Sequence, residues 1–213
     1  MQCQFCKAQV PNGSTKCPQC GTVLPASPRI TAGDFGASFS NATTIWKDNL
    51  GDLVLLTLVF CLVAWVPIAN AGFIAGYTRS LMKVFRGQGK AAVGDIFNAW
   101  DCFGNLLVYL VLYLVAVVLL SFIPFLGTLA VLALYFVAAP GMLAVIDKRL
   151  SAIDAFKWSL ATIQKDAVNW LLAILVGGIL GSAGAIALGI GIIITIPWGQ
   201  LLLISQYEAR KAD

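Results

Sequence analysis

An all-α integral membrane fold, with six transmembrane helices paired as three hairpins, is predicted by three features of this sequence. The 14 bases and 10 acids fall into four blocks, residues 7–52, 79–101, 147–166 and 208–213. Between them, Leu53–Thr78, Cys102–Ile146 and Ala167–Tyr207 carry no charge, and each exceeds the roughly 20 apolar residues that a helix needs to cross a hydrocarbon core. Composition agrees: 59% of residues are hydrophobic and 11% charged, at a mean hydropathy of +0.86, where a soluble domain carries about 25% charge.

Every block contains Lys or Arg, which are enriched in cytoplasmic loops. If all four blocks are cytoplasmic, each uncharged stretch must enter the bilayer and return. Turn residues sit where the outer tips fall, at Pro67–Gly72, Pro124–Gly127 and Gly181–Gly184. A single crossing by the first stretch would leave ten bases outside and four inside, which the orientation rule disfavours. The first hairpin, Leu50–Thr78, is short for two spans unless Arg79 and Lys83 snorkel at the end of a longer helix; a re-entrant loop is the alternative. No basic and then apolar leader opens the chain, so both termini are expected in the cytoplasm of a prokaryotic cell, at its inner membrane.

Residues 1–24 hold Cys3-Gln4-Phe5-Cys6 and, ten residues later, Cys17-Pro18-Gln19-Cys20-Gly21. Two such pairs can face one Zn²⁺, and four thiolates close its tetrahedron without leaving a position for water, so Cys3, Cys6, Cys17 and Cys20 are expected to hold structural rather than catalytic zinc. So short a segment has almost no core, and metal binding on the order of 10 kcal/mol would supply its folding energy. Two disulfides are the alternative, disfavoured by a reducing cytoplasm. Cys61 and Cys102 read as small apolar packing residues. Lys7 and Lys16 make a thin basic patch, a poor fit to nucleic acid; a protein partner is the better expectation. Residues 1–24 resemble the short zinc ribbons at the ends of many prokaryotic proteins. Pro25–Gly36 reads as a linker, which leaves 37–213 as the membrane domain.

Before each hairpin the same pattern recurs: Asp34, Phe35, Trp46 and Asn49; then Asp95, Phe97, Trp100 and Asn105; then Asp154, Phe156, Trp158 and Asn169. The pattern predicts an internal repeat in which an amphipathic cytoplasmic helix precedes each hairpin around a pseudo-threefold axis. In the third copy Ile153, Phe156, Leu160 and Ile163 share one helical face, the expected buried one.

On Gly76-Tyr77, Arg86-Gly87, Asp95-Ile96-Phe97, the Ser151–Ser159 segment and Gly189-Ile190-Gly191 through Thr195-Ile196-Pro197, residues 50–208 resemble a group of six-helix prokaryotic membrane domains. That group includes the membrane domain attached to some glycerophosphoryl diester phosphodiesterases. The resemblance implies a fold and a location. It implies no activity, because the phosphodiesterase's soluble catalytic domain has no counterpart here.

Histidine is absent and no charge interrupts the three stretches, which argues against proton-coupled pumping and against Ser-His or Cys-His catalysis. Asp52 and Asp147, the carboxylates nearest the bilayer, read as helix ends. Arg79, Lys83, Arg86 and Lys90 form one helical stripe, a candidate contact for lipid headgroups or plain positive-inside anchoring. Asn70, Thr195 and Gln200 are candidates to line a path, with Pro140 and Pro197 freeing carbonyls nearby; Gly177-x-x-x-Gly181 predicts close helix packing. The expected function is a non-enzymatic membrane scaffold or accessory subunit whose zinc ribbon docks a protein partner. The alternative is a passive transporter or channel for a small solute or lipid. The lipid bilayer is the partner common to both, and a homo-oligomer is compatible with either.

Overall fold

A computed structural model of the chain describes residues 6, 19–20, 34–124, 126–186 and 191–211. Every described regular element is helical: α1 (Phe35–Asp48), α2 (Leu50–Val63), α3 (Asn70–Phe85), α4 (Phe103–Ser121), α5 (Leu126–Lys148), α6 (Ala152–Lys165), α7 (Ala167–Ala183) and α8 (Gly191–Arg210), with short 3₁₀ turns at Val93–Phe97, Trp100–Cys102 and Gly184–Ile186. Cys3 and Cys17 lie outside the described residues, and Cys6 and Cys20 are exposed.

The helix ends follow from local chemistry. Asp34 caps α1 by accepting from the Ala37 amide at 3.1 Å, so α1 starts inside the stretch expected as linker. Ser151 and Asp154 form the cap of α6. At the end of α3, Gly87 takes φ +64 and the amides of Gly87 and Gln88 return to the carbonyls of Val84 and Lys83. That Schellman turn needs a residue without Cβ strain, which glycine supplies.

Three antiparallel pairs result, α2 with α3, α4 with α5 and α7 with α8. The last is packed through glycine: a Cβ on Gly199 would overlap the Gly177 carbonyl, and one on Gly184 would overlap Gly191. Backbone contact this close replaces hydrophobic driving force where lipid surrounds the helices. α8 is the hub, buried without a break from Leu201 to Tyr207 and touching α1, α2, α3 and α7.

By length and composition, the runs Val93–Ser121 and Leu126–Lys148 can each cross a membrane. Ala152–Lys165 with Ala167–Ala183 adds a third if that pair, bent by 107°, counts as one span. This is fewer than the six expected. α2 has 14 residues and α7 has 17, roughly 21 and 26 Å of helix, and α8 is interrupted by polar residues, among them Gln200, Ser205 and Gln206.

The segments between hairpins do not spread over the surface as the repeat pattern predicts. Each folds back antiparallel along the returning helix of the preceding pair. Asp95 meets Ser80 and Lys83, the Ile96 carbonyl sits against Gly76, and Phe97 and Trp100 pack on Phe73. Likewise Ala155 lies against Gly141, and the Ser159 hydroxyl donates to the Val137 carbonyl. α1, with no pair before it, does the same to α8. There Gln206 donates to Ser38, Trp198 donates to Thr43 at 3.0 Å, and Trp46 donates to the Ile194 carbonyl at 2.9 Å while stacking on Trp198. The three units are thereby interleaved and closed into a ring.

α6 divides the apolar face that its sequence groups together: Ile163 is buried and Phe156 stacks on Tyr109, while Ile153 and Leu160 turn outward. Ala152, Ala155, Ser159, Thr162 and Ile163 are buried, whereas Ile153 is 62% and Leu160 47% exposed. Small residues let α6 approach α5 closely, and Ile153 and Leu160 point away from the bundle.

Replacing Gly199 by Ala should destabilise the protein by about 1–3 kcal/mol, read as a lowered Tm in mild detergent. Gly178→Ala, at a position with open space around it, should leave the Tm within about 1 °C of the parent.

Candidate functional site

Two places concentrate polar chemistry: a charged belt at one end of the bundle, and a cleft between the second and third helix pairs.

α3 carries Arg79 and Lys83, with Arg86 as its C-cap, at helical spacing, whereas Lys90 follows the Gly87 turn that ends the helix and so leaves the stripe expected from the sequence. Each of the four bases meets a carboxylate. Arg79 binds Asp101 bidentately and donates to the Ile146 carbonyl at 2.8 and 3.0 Å. Lys83 pairs with Asp95, which also accepts from Ser80 at 2.7 Å. Arg86 reaches Asp147 at 2.7 Å and Glu208, and Asp147 accepts from Tyr207 at 2.9 Å. Lys90 stands 3.8 Å from Asp52. Arg149 joins Asp101 at 2.6 Å, and Arg210 joins Asp166 at 2.7 Å. Arg79 and Lys83, which would have to snorkel if the first hairpin is to span fully, meet acids returned to them by the 93–102 segment.

Arg86 is the node of the belt, because its partners come from the third and fourth charged blocks. Burial opposes its charge, but the hydrogen bonds to Asp147 and Glu208 outweigh that penalty and hold its pKa above the ordinary arginine value. All three side chains are less than a quarter exposed, so the pairs are better shielded from salt than surface ion pairs. Asp52 and Asp147, singled out as helix-end carboxylates, are both members of this belt. Asp95 enters from the sequence as a repeat position, with no partner assigned to it, whereas Asp101 and Glu208 carry no expectation there. The available signal was that Asp95 and Asp101 share a block with the basic stripe; the Glu208 pairing crosses 122 residues and has no local signal.

The three residues expected to line a path separate. The Thr195 hydroxyl donates to the Gly181 carbonyl at 2.9 Å and accepts from the Gly184 amide at 3.2 Å, fastening α8 to α7. Asn70 sits at the start of α3, its Oδ1 buried without a hydrogen-bond partner among the described residues. Gln200 alone faces open space. It lines two adjoining hollows of about 120 Å³ each, one walled by α4 and α5 and the other by the glycines of α7, which share Tyr135, Gln200 and Leu203.

Among the described residues no group of three or more Cys, Asp or Glu is arranged to hold a metal, and the expected zinc ligands Cys3 and Cys17 are outside that set.

Arg86→Gln should leave Asp147 and Glu208 facing each other in a shielded site, a loss of about 3 kcal/mol. A Tm drop several-fold larger than that of Lys90→Gln, whose side chain is 84% exposed, is the expected outcome of thermal unfolding in detergent. No family model, curated protein or solved structure matches this chain.

Proposed function

We propose that the chain is a non-enzymatic, six-crossing scaffold of a prokaryotic inner membrane, with its charged belt on the cytoplasmic side and its N-terminal cysteines forming a zinc ribbon that docks a protein partner. The observation that carries the membrane placement is the belt. Arg86 joins residues from three charged blocks and Lys90 reaches Asp52 of the first, so every uncharged stretch leaves one end of the bundle and comes back to it. Bases gathered at that end favour the cytoplasm. The first pair is the short one, and local thinning of the bilayer accommodates it.

A scaffold, more than a conduit, agrees with how the polar groups are used. Thr195, Trp198, Ser205, Gln206 and Tyr207 all bind other parts of the protein, and glycine contact closes α7 on α8. Groups committed in this way stiffen a bundle and leave little to coordinate a moving solute. The bases of the belt are neutralised by acids, which makes anchoring the better reading of the Arg79–Lys90 stripe than specific headgroup capture. The resemblance to the phosphodiesterase-associated membrane domains supports the same fold and location.

Cysteines introduced at the exposed positions Ile68, Leu126 and Ala183 should react with an impermeant maleimide on intact cells, and those at Gly89 and Ser151 only after permeabilisation. External reaction at Gly89 would overturn the topology; silence at Ile68 alone would make the first pair re-entrant.

The purified protein should carry one zinc per chain by metal analysis. Cys3→Ser with Cys17→Ser should abolish it without moving the Tm of the bundle, and should release whichever protein co-purifies from native membranes. Full zinc occupancy in the double variant would sink the ribbon.

A further inference from the structure

Gln200 lies ten residues before Arg210 on α8, roughly 15 Å from the charged end. Tyr135 precedes Asp147 by twelve residues and Tyr113 follows Asp101 by twelve, roughly 18 Å in each case. With a hydrocarbon core about 30 Å thick, all three lie near the middle of the bilayer, and all three line the same hollow. The hydrogen bonds that tie α4, α5 and α8 to their neighbours use Tyr109, whose hydroxyl donates to the Ala138 carbonyl at 2.7 Å, and Thr195, Trp198 and Ser205. The side chains of Gln200, Tyr113 and Tyr135 make no hydrogen bond among the described residues. Tyr135 is 47% exposed, so the cleft opens sideways, toward lipid.

A carboxamide and two phenols left unsatisfied in hydrocarbon are costly, at least about 1 kcal/mol each. The remaining wall is apolar or glycine, with Leu110, Met142, Leu143 and Leu203 prominent. No charged side chain lines either hollow, which disfavours ions. Phospholipid headgroups stay at the interface, roughly 15 Å from these donors. What fits is an amphiphile whose body is hydrocarbon and whose hydrogen-bonding head also dissolves in the core.

We infer that the cleft between α4, α5 and α8 binds a neutral long-chain lipid through a carbonyl or hydroxyl oxygen, held by Gln200, Tyr113 and Tyr135 at mid-bilayer. Isoprenoid quinones and polyprenols share that chemistry. The inference rests on the bundle lying in the bilayer as proposed above, and it is independent of the zinc ribbon.

The test uses the full chain in nanodiscs with a diazirine-bearing prenyl quinone as photoprobe and peptide mapping as readout. Crosslinks should concentrate on residues 135–143 and 200–203, and Gln200→Leu should lower them about fivefold, the equivalent of one hydrogen bond, with Tm unchanged. Tyr135→Phe, at an exposed site, should lower them about twofold to fivefold and serves if Gln200→Leu fails to fold. Competition by unlabelled quinone alone, or by polyprenol as well, identifies the head that is preferred. Labelling that neither competitor reduces, that both variants retain in full, or that spreads over lipid-facing α4 positions such as Leu114 would overturn the inference. The maleimide pattern at Gly89 and Leu126 is read in the same nanodiscs, so a failed topology is distinguished from an empty cleft.

Discussion

Arg86 holds Asp147 and Glu208 together, and the rest of the bundle is arranged around that contact. The guanidinium is planar and always charged, so it can face two carboxylates from different helices where an ammonium would serve as a point charge. Its partners sit on the last turns of α5 and α8. Three returning helices therefore end at one level, and the chain between them has to leave that level and come back. The antiparallel pairs are the consequence.

Above the belt, a different constraint governs. Once lipid replaces water outside, burying apolar surface no longer drives helices together, and close backbone approach and hydrogen bonding must do so. Gly177, Gly184, Gly191 and Gly199 permit that approach, and Thr195 bonds across it. The same rule explains α6, which directs Ala152, Ala155 and Ser159 inward and leaves Ile153 and Leu160 outside. Gln200 departs from the pattern, being the polar residue of α8 that faces a hollow rather than a neighbouring helix. An apolar hollow with a few convergent polar side chains is the usual make-up of a ligand pocket.

The interleaving of the units gives the repeat a physical meaning. Asp34 and Asp154 each take part in capping a returning segment, and Asp95 accepts from its own segment's Ala92 amide while pairing with α3. Phe97, Trp100 and Trp46 supply the aromatic contact to the preceding returning helix or, for α1, to α8. Because α1 completes the ring on α8, the first and last segments of the membrane domain stabilise each other despite their separation in the chain.

The sequence alone determined that the chain is built of long apolar helices that turn back on themselves, since uncharged stretches of this length are bounded by charge blocks that meet at one end. It also placed the basic stripe on one side of α3, because helical spacing is local. Only the tertiary structure decided what that stripe meets, for Asp101, Asp95, Asp147 and Glu208 are brought to it by chain reversals that no local signal encodes. The same holds for Asn70, Thr195 and Gln200. As sequence they are three polar residues in apolar surroundings, and their separation into a buried end, a strap and a cleft depends on the rotation of each helix against its neighbours. That rotation is set by glycine contacts and by α1, and neither periodicity nor composition carries it.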